Sequence, residues 1–367
     1  MGIRKVAVNT GGGDAPGLNA VLRAVTLSAL RLGWEIVGIR DGYLGLLEMP
    51  PEEGLIPLTR DRVRGISHLG GTILGTTNRG NPFEYPFRKN GRTVVKDRSD
   101  ELLAAFRRNG FDALIAIGGD GSLGIAHRLC LKGLPVVGVP KTIDNDLAAT
   151  FLTFGFDTAV STATDALDKL HSTAESHHRV MVVETMGRST GWIALHAGVA
   201  GSADVILIPE IPFDLDAVCE AIRERDRMGR RYSIVVVAEG AAPAGGAVRT
   251  KGRKEIGREV RLGGIAEWLG GEISARTGKE TRTIVLGHLQ RGGGPTAFDR
   301  LMALRFGTAA IRALAEGASD VMVALRPPSV MAVPLSEAVA GRRTVPLDGD
   351  TVATALSLGI CLGTPAV

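Results

Sequence analysis

The chain contains no apolar run approaching the ~20 residues that a membrane-spanning helix needs, so a membrane partner is not expected. Its amino-terminal stretch MGIRKVAVNTGGG reaches glycine before any apolar core develops, and no targeting leader is expected. Aromatic residues are scarce, at 4%, and no basic run is interleaved with them, which argues against a nucleic-acid platform. Cysteine is scarce too: Cys130, Cys219 and Cys361 stand far apart, none at metal-ligand spacing, and three thiols cannot all pair within one chain. That usage fits a reduced cytoplasmic setting. Charge of one sign is also missing, with 43 basic against 39 acidic residues and a net charge of +4. So mild an excess suits a small anionic substrate if some of the arginines converge. No repeat of solenoid length is present.

The chain does have ample apolar residue (44%) and a length, 367 residues, that favours two domains over one. Its 49 glycines follow no period, which points to tight turns and to places where backbone approaches a ligand closely. Short apolar runs recur at Val6–Val8, Ile36–Ile39, Ala113–Ile117, Val136–Val139, Val180–Val183, Val205–Ile208, Ile234–Ala238 and Ile284–Leu286. Each is closed by glycine or polar residues, and most are followed by a helical pattern. Continuous valine- and isoleucine-rich runs of this length read as strands buried on both faces, and the alternation implies a doubly wound, mostly parallel α/β fold. Helices are expected over Pro16–Arg31 and Thr153–Leu170. The stretch Ala241–Gly264, glycine-rich and basic, reads as a surface excursion.

The polar residues of interest follow the ends of these runs, where open α/β sheets bind ligands. The loop Thr10–Gly17, TGGGDAPG, can aim backbone N–H groups at phosphate at a helix start. It has neither the P-loop nor the GxGxxG spacing, and no matching acidic residue follows the second strand, so a nicotinamide dehydrogenase is disfavoured. Alone, the loop is as readily a plain tight turn. Gly118-Gly119-Asp120-Gly121-Ser122 sets a carboxylate among glycines; beside phosphates that calls for a cation, making Asp120 a candidate Mg²⁺ anchor, or else a helix cap. Lys141-Thr142-Ile143-Asp144-Asn145-Asp146 offers a carboxylate base, or an Asx-rich turn. Arg188 and Arg291 follow strands and Arg179 and Arg282 precede them; with His288, the four arginines are expected to form one anion cradle. Singly, each arginine is as well read as a solvated charge, and His288, with no second ligand at suitable spacing, is not read as a metal ligand. Glu239 could accept bonds from sugar hydroxyls or pair with a nearby arginine.

Together, GGGDAPGLNAVLR, DGYLGL, GGDGS, PKTIDND, MGRSTGW, VVAEGA, ETRTIVLGHLQRGG and the later FDR resemble 6-phosphofructokinases of the bacterial type, in that family's order from residue 6 to about residue 307. The resemblance implies two similar Rossmann-like α/β domains: 1–152 with 289–340 for the donor, and 153–288 with 341–367 for the sugar phosphate. It implies transfer of the ATP γ-phosphoryl group to O1 of fructose 6-phosphate in glycolysis, with Mg²⁺. By position, Asp144 matches the base, Thr142 and Asp146 its flanks, and Asp120 the Mg²⁺-associated aspartate. Gly12, Gly13, Tyr43, Asn78, Arg79, Gly119, Gly121, Ser122 and Lys141 match donor positions. Met186, Gly187 and Arg188 match the loop at the reacting groups. Glu239, His288 and Arg291 match sugar-phosphate contacts, with Ile143, Leu289 and Gln290 carried along in their motifs. Arg179 and Arg282 match arginines donated across a subunit interface, implying a homo-oligomer, dimer or tetramer.

The donor has two readings. Pyrophosphate users of the family carry aspartate where this chain has Gly121, because a carboxylate there occupies and repels the α-phosphate region of ATP; Gly121 therefore favours ATP. Lys141 is typical of pyrophosphate users, but a lysine can hold a terminal phosphate of either donor. The stretch TTNRGNP departs from the common ATP form. A regulatory pocket is expected to be weak: Arg23 matches one of its basic residues, whereas Leu27 and His171 replace others. A non-catalytic sensor of sugar phosphates or nucleotides would lack the base or the metal aspartate; Asp144 and Asp120 are both present.

Overall fold

The structure, a computed structural model, describes residues 2–89, 92–251 and 261–365. Its contacts divide into two compact units, one built on Met1–Asp157 and Arg291–Arg342, the other on Thr158–Lys254, Val260–Gln290 and Arg343–Val367.

The first unit holds a seven-stranded sheet in the order Ser329–Pro334, Val321–Arg326, Val136–Pro140, Ala113–Gly118, Lys5–Thr10, Glu35–Ile39 and Leu55–Pro57. The central pairings are parallel, with Val6 opposite Ala113 and Ile36. Side chains alternate across the sheet with period two. Val6, Val8, Ile115, Ile117, Val137 and Val139 pack on one face beside residues of the helices Leu18–Arg31 and Ala297–Ala315. Ala7, Val37, Leu114, Ala116 and Val136 pack on the other, beside the helices Ser99–Arg108 and Asp120–Leu131. Burial on both faces is why these runs are unbroken in apolar residues.

The first helix starts at Leu18 rather than Pro16. Gly17 stands at its N-cap in the left-handed region (φ 110°), and a Cβ there would lie 2.7 Å from the Phe154 ring. Only glycine meets both conditions.

The second unit holds a four-stranded parallel sheet, ordered Thr281–Val285, Val180–Thr185, Ser233–Ala238 and Val205–Leu207. Its core joins Val180, Val182, Val235 and Val237 to residues of the helices Leu215–Arg227 and Ile265–Thr277. The helix expected from Thr153 to Leu170 spans Phe156–His177.

All eight expected strands are present, and the fold is α/β with mostly parallel sheets. The unexpected strands include Val321–Arg326, which pairs parallel with Val136–Pro140, the antiparallel edges of the first sheet and the two-stranded ribbon Tyr85–Lys89 with Arg92–Lys96. In the stretch Ala241–Gly264, Thr250–Lys251 pairs with Arg261–Leu262, and residues 252–260 lie outside the described residues. Among the described residues no helix is long and apolar enough to cross a membrane.

Candidate functional site

In the first unit the expected donor and base loops meet at the carboxyl ends of adjacent parallel strands. The Gly11 N–H donates to the Ile117 carbonyl at 2.9 Å and the Lys141 N–H to the Gly118 carbonyl at 2.9 Å, stitching three strand ends together. Gly12 has φ 79°, and a Cβ on it would lie 3.4 Å from both Lys141 Nζ and Ser122 Oγ, and 3.9 Å from Asn78 Oδ1. These groups therefore surround one bare stretch of backbone. The Gly12 N–H is bonded to the Thr77 carbonyl (3.1 Å), whereas the Gly13 N–H has no hydrogen-bond partner among the described residues. Above Gly13 lies Arg291: a Cβ there would stand 2.9 Å from Nη1, which donates to the Asp14 carbonyl at 2.9 Å. Arg79 is exposed, its N–H on Thr77 Oγ1 (3.0 Å). Tyr43 is buried in the core, hydrogen-bonded to Asn9, and burial pushes its hydroxyl upward in pKa; its side chain is part of the packing.

The Thr142–Asp146 turn is held by its own side chains. The Asp144 N–H donates to Thr142 Oγ1 (3.1 Å), and Thr142 Oγ1 donates to Asp146 Oδ1 (3.4 Å). Asn145 is left-handed (φ 51°), and its buried Oδ1 accepts the Thr153 N–H at 3.1 Å. Thr153 Oγ1 closes the turn on the Thr142 carbonyl (2.8 Å), and Ile143 is fully buried beneath it. These bonds hold the turn, and Asp144 is half-buried with its Oδ1 turned in from the surface.

Asp120 opens the helix Asp120–Leu131 and stands 3.7 Å from the Arg342 guanidinium, with Gly119 at the N-cap. Burial raises the Asp146 carboxyl and the charge of Asp120 raises it further, against Arg342 and Thr142. Among the described residues no three metal-ligating side chains cluster. The chemistry present fits a hard divalent cation held by one carboxylate, water and oxygens of a bound phosphate, which would also relieve this excess of negative charge.

Lys141 is buried (3% exposed), and Nζ donates to the Gly13 carbonyl. Burial and then the Arg291 charge lower its pKa from 10.5 to about 7, against the pull of Asp14, Asp144 and Asp146. The folded pKa lies below the unfolded one, so between them the unfolded chain binds the extra proton and stability rises with pH. One such group contributes a slope of up to about 1.4 kcal/mol per pH unit. Urea midpoints of the native chain should therefore gain on those of Lys141→Met between pH 7 and 9; parallel midpoints in the two proteins would refute the shift.

In the second unit the loops after Val180–Thr185 and Ser233–Ala238 lie against each other. The Gly240 N–H donates to the Gly187 carbonyl (3.1 Å), and a Cβ on Gly240 would meet the Arg188 carbonyl at 2.0 Å. Met186, Gly187 and Arg188 are thus neighbours of Glu239. Glu210 holds the same loop by accepting the Gly191 N–H at 3.0 Å. The segment Gly287–Arg291 is a short 3₁₀ turn in which His288 and Leu289 are exposed, and Gln290 is buried with Nε2 on the Gly287 carbonyl (3.2 Å).

Arg179 and Arg282 do not join these loops. Both lie at the amino ends of their strands, whose register pairs Thr281 with Val180, and both bind Glu280, Arg179 at 2.9 Å. A strand of that length separates its two ends by about 17 Å. Within one chain the expected single cradle of four arginines and His288 is therefore not formed, because Arg179 and Arg282 lie at the amino ends of parallel strands whose carboxyl ends lead to Arg188 and His288. His171, in the same unit, is bound inside it, Nε2 on the Gly201 carbonyl (2.8 Å) and Nδ1 near the Tyr232 hydroxyl (3.4 Å). Sequence reasoning did not single out Arg342, which lies in no motif that follows an apolar run, and it gave Asp14, within the Thr10–Gly17 loop, no role of its own.

The profile of the family described as Phosphofructokinase matches residues 5–314. The chain belongs to the phosphofructokinase family. An ATP-dependent 6-phosphofructokinase of Chloroflexus aurantiacus is 51% identical over 360 residues, covering 98% of each chain. A pyrophosphate–fructose 6-phosphate 1-phosphotransferase of Amycolatopsis methanolica is 52% identical over 345 residues, covering 93% of this chain and 96% of its own. Family members named for either donor are thus equally similar, and identity alone does not select the donor. The solved Pichia pastoris phosphofructokinase in the T-state superposes with a TM-score of 0.79 at 31% identity, over 98% of this chain and 36% of that longer one.

Proposed function

We propose that this phosphofructokinase transfers the γ-phosphoryl group of ATP to O1 of fructose 6-phosphate, giving fructose 1,6-bisphosphate and ADP. The observation that carries this reading is the Thr142–Asp146 turn docked on the same strand ends as the Gly11–Gly13 loop, with Lys141 between them. Such a site presents a carboxylate base next to a phosphate cradle.

Asp144 accepts the O1 proton as the oxygen attacks γ-phosphorus and the bond to the β-phosphate oxygen breaks. The Gly13 N–H and Lys141 Nζ face the donor phosphates, and Arg188 offsets charge on the group in transit. Asp120 would hold magnesium, which would supply positive charge against the donor phosphates. Glu239, His288 and Arg291 hold the sugar phosphate. Arg179 and Arg282, at the far ends of their strands, serve the site of a second copy, so the active form is a homo-oligomer. Its three free thiols suit the cytoplasm.

Gly121 favours ATP. The pyrophosphate reading has its own support in the buried Lys141, and an assay of fructose 1,6-bisphosphate formation with each donor decides between them. Turnover with pyrophosphate and none with ATP would overturn the proposal. With His171 bound inside the unit and Leu27 apolar, saturation by fructose 6-phosphate should be hyperbolic and indifferent to ADP added as effector. A sigmoidal curve relieved by ADP would contradict this.

A further inference from the structure

Three backbone groups of one segment end on a single buried amide. Asn19, 1% exposed, is the second residue of the helix Leu18–Arg31. Its Nδ2 donates to the carbonyls of Leu69 and Gly70 (both 3.2 Å), and its Oδ1 accepts the Ile73 N–H (2.9 Å). Both amide hydrogens and the oxygen are thereby used, and among the described residues no other side chain bonds these three groups.

The segment that Asn19 fixes has two working edges. On one edge it carries the first loop. Thr76 Oγ1 donates to the Gly12 carbonyl at 2.6 Å, the Thr77 carbonyl accepts the Gly12 N–H at 3.1 Å, and Thr10 Oγ1 donates to the Gly75 carbonyl at 2.7 Å. On the other edge it abuts the backbone that follows Arg291. A Cβ on Gly70 would lie 2.2 Å from the Gly293 carbonyl oxygen, and one on Gly294 would lie 2.5 Å from that of His68. Neither position admits a side chain, so a displaced 69–73 segment cannot move without moving its neighbour. The same segment thus sets the height of Gly12 and the path of the chain carrying Arg291.

We propose that Asn19 is a positioning residue: by clamping Leu69, Gly70 and Ile73 it holds the Gly11–Gly13 loop and Arg291 in register for a phosphate-bearing donor. The donor part rests on the function proposed above; the clamp rests on geometry alone. Removing the amide leaves two carbonyls and one N–H without their partner in a half-buried place, and that loss is relieved most easily by letting the segment open.

The test compares native enzyme with Asn19→Ala, Asn19→Asp and, as a control for lost stability alone, Thr26→Val. Thr26 lies on the same helix, buried, with Oγ1 on the Leu22 carbonyl at 2.7 Å, away from the 69–73 segment. In Asn19→Ala, hydrogen exchange at the Gly12 and Ile73 amides should quicken at least about tenfold, with the Val180–Thr185 strand unchanged. The donor KM should rise by a similar factor while that of fructose 6-phosphate stays within about threefold. In Asn19→Asp the ionised carboxylate faces two carbonyls; once protonated it can again donate to one of them. Its kcat/KM relative to native should therefore climb as pH falls from 8 to 6, a profile that a merely structural role would not produce.

Unchanged exchange at Gly12, with at most the fall in thermal midpoint expected of Thr26→Val, overturns the proposal. Faster exchange at Gly12 with the donor KM unmoved would keep the clamp and remove the donor reading of the loop instead.

Discussion

Asp144→Asn is expected to lower kcat by about two to four orders of magnitude, while the KM for fructose 6-phosphate changes by less than about threefold. The two side chains have the same shape, so the turn should survive. The hydrogen bond from residue 144 to Thr142 Oγ1 comes from its backbone N–H, and the turn is closed by Asn145 and Thr153, neither of which depends on the Asp144 charge. What disappears is the ability to take a proton. A hydroxyl attacking phosphorus must lose that proton as the new bond forms, and an amide cannot receive it. Substrate binding rests on other groups, so the loss should fall on kcat. Steady-state rates across fructose 6-phosphate concentrations, with a thermal midpoint for each protein, are sufficient. Near-native turnover in the variant would remove Asp144 as the base. A raised KM with native kcat would make it a binding group.

The strands were legible because burial on both faces leaves an unbroken apolar signature, as at Ala113–Gly118, where every residue is buried. The loops of the site were legible for a related reason, since each follows such a run. The short edge Leu55–Pro57 carries a proline and lies antiparallel, and gives no such signature. Within one chain the expected cradle of four arginines is divided by strand polarity. A residue before a parallel strand and a residue after it stand at opposite ends of the sheet, and Arg179 and Arg282 lie on the wrong end to meet Arg188 in the same chain. Tyr43 follows a strand as the site loops do, yet its ring faces the core. The close approach of Arg291 to Gly13 spans more than half the sequence, and no local pattern carries a contact of that range. Asn19 was passed over because a polar residue in the first turn of a helix is common, and its three partners are backbone groups that leave no mark on the sequence.

Gly121→Asp is expected to reduce kcat/KM for ATP by about two to three orders of magnitude. The estimate takes a carboxylate about 4 Å from a phosphate oxygen at an effective dielectric of about 20, a repulsion near 4 kcal/mol, less some screening. The fold should not contribute. A Cβ at Gly121 meets nothing within 4 Å, its backbone is not left-handed, and it lies in the first turn of the helix Asp120–Leu131, where an acidic side chain is favourable by some tenths of a kcal/mol. The thermal midpoint should therefore hold or rise, which separates the effect on the donor from any effect on the chain. Pyrophosphate has no α-phosphate, and Lys141 still faces the terminal groups, so the variant's use of pyrophosphate should fall far less, if at all. The ratio of the two donors is the informative quantity: it should move toward pyrophosphate by at least about 100-fold. A variant that keeps native kcat/KM for ATP would show that the bare backbone at Gly121 is not what admits the nucleotide, and would return the choice of donor to Lys141.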